Sequence, residues 1–409
     1  MRAIAIDEMD EMDEMDETDD INRLIRQLNT GARGLARDEG GDGDPLRSES
    51  LPPELGQPAP QSAARLTGWL EDLVERRGSD LLLVAGAPPC VRVDGRLARL
   101  PEAPLSGEEI EGAVLPAMTV GARGKYAAEG NADSSFKDRR LGRFRVNLHR
   151  ERGRPAAAVR SLPAEAPRLS SLGLPPGVEA LTRLPRGLVL IGGATGSGKS
   201  TTLASMVEEI NRRDARHILT IEDPVEYEIP HRTSLVEQIE IGPDAPDFPT
   251  ALRAALRQAP DVLVVGEMRD PETMRIALAA AETGHLVLST LHTTDAASAV
   301  SRIADSFPGE RQGTIRQELS MALAAILTQT LLPRRGGGLA AAAELLVIGY
   351  GARQHIRKNT LQHLNQEIAL TRKLGSMSLE ESLSALVREG IVDAEEARAR
   401  AVHPEDLPV

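Results

Sequence analysis

Aromatic side chains are scarce in this 409-residue chain, with one Trp, three Tyr and four Phe, so its cores must be packed mainly with Leu, Val, Ile and Ala. Cysteine occurs once, at Cys90. That excludes an intramolecular disulfide framework and any cysteine-based zinc site, and it fits a reducing compartment. No apolar run reaches the roughly 18 to 20 residues that cross a bilayer, and the start "MRAIAIDEMD" lacks a signal-peptide core. A basic face with aromatic stacking positions is missing as well, which argues against a nucleic-acid binder. The length allows two or three domains, expected to be soluble, inside the cell and without a direct membrane span.

The net charge of −13 is concentrated at one end: the first 20 residues hold ten acids against one arginine. The repeat "DEMDEMDEMDETDD" repels itself and buries too little to offset ordering, so disorder is expected. Ile21, Leu24, Ile25 and Leu28 follow at helical spacing, and a Gly-, Pro- and Ser-rich linker runs over 38–62. Residues 63–162 read as a small α/β domain, with a helix over "ARLTGWLEDLVERRG", two strands around a hairpin at Asp94-Gly95, and two more in "GRFRVNLHRERGRPAAAVRSLP". A second linker spans 163–180. Strands and helices then alternate over 181–340, as in a parallel sheet covered by helices. The pattern turns helical after about 310, and 341–409 is expected to be a helical C-terminal region.

"LVLIGGATGSGKSTTLASMVEEI" carries the strongest chemical signal: Gly193 to Ser200 fits G-x-x-x-x-G-K-[ST] between an apolar strand and an amphipathic helix. Glycines let backbone wrap phosphate oxygens, and the amides with the helix N-terminus make an anion site. Residues Gly193, Ala194, Thr195, Gly196, Ser197, Gly198, Lys199, Ser200 and Thr201 are therefore expected to bind a nucleoside triphosphate. Lys199 supplies charge to the outer phosphates and Ser200 a hydroxyl to Mg²⁺. "HILTIEDPVEYEIP" ends a strand in Glu222, Asp223 and Glu226, either a solvated loop or a site for Mg²⁺ and water. "VLVVGEMRDPET" ends the next strand in Glu267, placed to hold Mg²⁺ through water or to orient the attacking water. Asp261 lies at the wrong end of that strand and reads as a turn residue. "ETGHLVLSTLHTTDAASAV" gives a fourth strand bounded by His285 and His292, of which His292 reads as a γ-phosphate sensor.

Those four segments, in that order, resemble the secretion-type ATPases of bacterial type II secretion and type IV pili, and most of all the PilT-type branch that retracts pili in twitching motility. The resemblance spans roughly 63–409. It implies an α/β fold: a RecA-like P-loop NTPase motor domain with an N-terminal PAS-like α/β domain and a helical C-terminal region. It also implies a homohexamer with ATP between subunits, peripheral at the inner-membrane pilus machine on the cytoplasmic side and partnered by a platform protein. By motif, Glu226 is the catalytic carboxylate of the acidic box, Glu267 the Walker B glutamate, and His285 and His292 the histidine-box pair. Arg143, Arg145 and Arg160 match the N-terminal arginines expected to act in trans on the phosphates. A single cysteine cannot make the tetracysteine zinc element common in assembly and secretion ATPases, which favours retraction. Two departures stand against that: "GARQHIRKN" at 351–359 ends in Lys358 where the branch has an acid, and "SDLLLVAG" has Leu82 where it has histidine. The resemblance leaves room for an accessory retraction or secretion ATPase, or for a regulatory ring subunit that hydrolyses little.

Overall fold

Strands buried on both faces need continuous apolar runs, and "GLVLIG", "VLVV" and "LVLSTL" supply them. In the structure, a computed structural model that describes residues 60–407 except Asp94 and Ala164, every residue of these three segments is buried. The acidic repeat, the helix expected around Ile21 to Leu28 and most of the 38–62 linker lie outside the described residues. The linker's last residues do not: helix α1, Pro60–Glu75, begins inside it.

The N-terminal sheet is antiparallel throughout, in the order β3-β2-β1-β6-β5-β4. Its strands are β1 (Asp80–Val84), β2 (Cys90–Val93), β3 (Arg96–Arg99), β4 (Asn131–Asp138), β5 (Gly142–Glu151) and β6 (Arg154–Leu162). Between β3 and β4 run α2 (Gly107–Val114) and α3 (Val120–Glu129). Trp69, Leu73 and Ile110 from the helices pack on Leu81, Phe144 and Val146. Strand β5 shows the period of two that decides its role: Phe144, Val146 and Leu148 face this core, and Arg143, Arg145 and Asn147 face away from it. Strand β4, "NADSSFKD", gave no sequence signal, because a polar edge strand has little apolar alternation to read.

After α4 (Gly177–Leu181), the second sheet is built from β7 (Gly187–Gly192), β8 (His217–Glu222), β9 (Leu235–Glu240), β10 (Val262–Val265), β11 (Leu286–Leu291), β12 (Leu323–Pro333) and β13 (Leu339–Val347). Its order is β13-β12-β7-β11-β10-β8-β9, parallel except for antiparallel β13. Helix α5 (Lys199–Arg213) covers one face through Met206, Val207 and Ile210. On the other lie α6 (Phe248–Ala255), α7 (Pro271–Glu282), α8 (Ala296–Asp305) and α9 (Gly309–Ala322). Helix α7 starts where Asp270 caps Thr273 N–H ahead of Pro271, and α8 where Asp295 and Ser298 cap each other. Both sheets belong to one unit, Pro58–Val409.

The stretch after 310 corrects the sequence reading. Helix α9 stops at Ala322, and "LAAILTQTLLP" and "LAAAAELLV" form strands β12 and β13, so the expected limit at 340 falls inside β13. Alanine and leucine favour helix locally, but Leu323, Ala325 and Leu327 complete the core beside β7, and that burial overrides the propensity. Helices α10 (Tyr350–Lys358), α11 (Leu364–Leu370), α12 (Leu379–Arg388) and α13 (Ala394–Arg400) follow. Among the described residues, no helix is long and apolar enough to cross a membrane.

Candidate active site

Strand β7 delivers the chain into the loop Gly193 to Gly198, and α5 begins at Lys199. Gly193, Gly196 and Gly198 have φ of 147°, 79° and 89°, a region closed to most side chains. A Cβ on Gly193 would sit 2.3 Å from Ser197 Oγ and 2.6 Å from the Gln329 carbonyl, so the loop cannot close around anything larger. Lys199 Nζ donates to the Gly193 and Ala194 carbonyls, at 2.9 Å each. Burial pushes the Lys199 amine down, while the Glu267 and Glu226 carboxylates pull it up. Ser197 Oγ is buried with no protein partner. Thr195, Ser200 and Thr201 line the cleft, and Thr201 Oγ1 lies 2.9 Å from the Tyr227 hydroxyl.

A residue with no sequence signal holds this loop. Buried Gln329 on β12 donates from Nε2 to the Ser197 carbonyl at 2.6 Å, and its Oε1 accepts from Thr202 Oγ1 at 2.9 Å. It therefore grips both the loop and the first turns of α5.

The cleft, about 780 Å³, opens at the C-terminal ends of the parallel strands, where the loop, Glu222, Asp223, Glu226, Glu267 and His292 meet. Glu267 is held from two sides: Arg269 Nη2 lies 2.8 Å from Oε2 and His292 Nε2 3.1 Å from Oε1. Ser289 and Thr290 hydroxyls donate to the Val265 and Gly266 carbonyls at 2.7 and 2.6 Å, fixing the strand end that carries Glu267. Burial raises the Glu222 carboxyl, opposed by hydrogen bonds from Thr220, Gln238 and the Glu226 N–H. The loop bearing Glu226 is pinned from β9: Gln238 bonds the Tyr227 carbonyl at 2.9 Å and the Ile229 N–H at 2.7 Å.

Two of the three arginines reach the cleft. Arg145 and Arg160 oppose each other across β5 and β6, and both line its wall. They are parked on Asp133 at 3.4 Å and Asp80 at 2.8 Å. Arg143 does not line the cleft; its side chain is 13% exposed and pairs with Glu240 at 2.9 Å. His285 is a second correction. It precedes β11, beside Asp261 and Arg216 at the N-terminal edge of the sheet, with Nδ1 3.0 Å from the Ala280 carbonyl. Six strand residues separate it from His292, about 20 Å of extended chain, so one strand cannot place both histidines at one site. Asp261 is the turn residue expected: its Oδ2 accepts from the His217 N–H at 2.8 Å.

The residues present suit a nucleoside triphosphate. Glycines leave a cradle that a Cβ would fill, a buried hydroxyl lacks a partner, and Lys199 sits on carbonyls at the loop's own mouth. The "Type II/IV secretion system protein" family model matches residues 157–372. The chain is 40% identical over 342 residues to the "Type IV pilus retractation ATPase PilT" of Pseudomonas aeruginosa, covering 84% of this chain and 99% of that protein. With the "Type IV pilus ATPase PilU" of the same organism it shares 39% identity over 336 residues, 82% of this chain and 88% of that one. The crystal structure of the pilus retraction motor PilT with bound ADP superposes with a TM-score of 0.76 at 43% identity, covering 83% of this chain and 97% of that one. The family match and 40% identity over 84% of its length place the chain in the type II/IV secretion system protein family.

Proposed function

We propose that the chain hydrolyses Mg-ATP and drives type IV pilus retraction, acting as a cytoplasmic homohexamer on an inner-membrane platform protein. The observation that carries this reading is the cleft, which joins the loop around Lys199 to two carboxylates, Glu226 and Glu267, and faces them with Arg145 and Arg160. The names of the similar proteins supply the pilus.

Within that cleft, Lys199 exchanges its two loop carbonyls for outer phosphate oxygens, and the loop amides with the α5 N-terminus take the rest of the charge. Ser200 and Glu267 would hold Mg²⁺, directly or through water, and the ion would supply neutralising charge at the phosphates. Among the described residues no cluster of His, Cys, Asp or Glu forms a dedicated metal cage, as suits an ion held largely by phosphate and water. Glu267 is braced by Arg269 and His292, which fixes the carboxylate that would face the ion. Glu226, on its pinned loop, takes the proton of the attacking water. His292, in contact with Glu267, reports the γ-phosphate, and Arg145 and Arg160 leave their aspartates to stabilise developing charge.

The test is steady-state ATP hydrolysis by the purified full chain with and without Mg²⁺. Wild type is expected to turn over only with Mg²⁺. Glu267→Gln should lose about a hundred-fold or more in kcat while binding a fluorescent ATP analogue normally. Near-normal turnover in that variant would remove Glu267 from its assigned role.

A second reading, a type IV pilus ATPase other than the main retraction motor, is favoured by one observation. Identity to PilU, 39%, is within one point of that to PilT, 40%.

A further inference from the structure

Arg143 does not face the phosphate cleft, and its actual contacts point to a different task. Its Nη1 donates to the Val225 carbonyl, and its Nη2 to Glu240 Oε2 at 2.9 Å. The same Glu240 oxygen accepts the Val225 N–H at 3.1 Å, and Ser135 Oγ on β4 donates to Oε1 at 3.3 Å. One arginine from the N-terminal sheet and one glutamate from β9 thus satisfy both backbone polar groups of Val225. That residue is buried and immediately precedes Glu226.

We infer that Arg143 and Glu240 are a positioning pair, through which docking of the N-terminal sheet against the motor sheet sets the place of Glu226. Each member is 13% exposed, so the pair is shielded from water and sensitive to loss of either partner. A guanidinium is required because it donates to a carbonyl and a carboxylate at once from one planar fork, which an ammonium on a flexible stem does not reproduce. The neighbouring pair, Lys137 with Glu228, joins β4 to the loop after β8 with side chains 62% and 47% exposed, and Lys137 contacts neither polar group of Val225. It adds to docking without gripping the backbone beside Glu226. When the sheets separate, Arg143 leaves, the Val225 carbonyl loses its donor, and the Glu226 loop is held from β9 alone. Domain movement and hydrolysis are thereby coupled through one peptide unit.

This inference rests on Glu226 as the water-activating group, and the test separates the two. Full-length wild type, Arg143→Ala, Arg143→Lys, Glu240→Gln and Lys137→Ala are compared for kcat and for the Kd of a fluorescent ATP analogue. Loss of positioning alone is expected to lower kcat about ten-fold or more in Arg143→Ala and Glu240→Gln, with Kd within about two-fold of wild type. Arg143→Lys, keeping charge without the fork, should fall between, and Lys137→Ala should stay near wild type. Weaker analogue binding in Arg143→Ala beside a wild-type Glu240→Gln would make Arg143 a phosphate ligand and overturn the inference. So would unchanged kcat in both, or Kd moving in step with kcat. Failure of the Glu226 reading shows elsewhere, as Glu226→Gln with wild-type turnover.

Discussion

Burial lifts the Glu344 carboxyl on β13 to about 7, and Asp295 and Glu380 push it further the same way while the Ala296 N–H opposes. Its Oε1 is buried without a partner, at the wall of a second cavity of about 1070 Å³ under α12. Because the folded value lies above the ordinary 4.5, this group's contribution to stability is fully present below pH 4.5 and is lost as pH rises through about 7. The amount at stake is on the order of 3 kcal/mol. Glu344→Gln is therefore expected to raise Tm by a few degrees at pH 8 and to change it little at pH 5. Thermal unfolding at the two pH values checks this, and an equal shift at both would show that the carboxyl does not titrate as argued.

Strand β12 sets the shape of the phosphate loop, although no local pattern announces it. Gln329 sits in "LAAILTQTLLP", where its neighbours are chosen for the core, and its two bonds reach the Ser197 carbonyl and Thr202 from more than a hundred residues away. Gln329→Leu keeps the volume and removes both bonds. It should raise the KM for ATP about ten-fold with smaller loss in kcat, read from steady-state kinetics. An unchanged KM would leave Gln329 a core residue only. The loop itself was legible because its chemistry is local: glycines with positive φ, then a lysine opening a helix. The placement of Glu226, Glu267 and His292 at the cleft was legible because a buried apolar strand predicts which end faces a ligand. The same rule exposes His285 as misplaced, since it precedes its strand. Arg143 was misread because strand period gives its face and not its partner, which lies on another sheet. Strands β12 and β13 were misread because alanine leaves the choice between helix and strand to packing.

Across the whole molecule, one surface decides whether the N-terminal sheet and the motor act together. Arg143 on β5 bonds both the acidic loop and Glu240 of β9, Ser135 on β4 bonds the same Glu240, and β5 carries Arg145 to the cleft wall. None of the residues of "GARQHIRKN" lines the cleft. There Arg353 and Arg357 of α10 bond the Ser320 carbonyl and hydroxyl at the end of α9, while Ala352 and Ile356 are buried and Lys358 is exposed. These four residues thus anchor the helix, and Lys358 alters its surface charge, so ATP turnover is expected to survive the change. Retraction itself is tested most directly in the organism that carries the gene, by deleting it and restoring either wild type or Lys199→Ala. The expected result is loss of twitching with surplus surface pili, reversed by wild type and not by Lys199→Ala. Loss of pili altogether, or rescue by Lys199→Ala, would contradict an ATP-driven retraction motor.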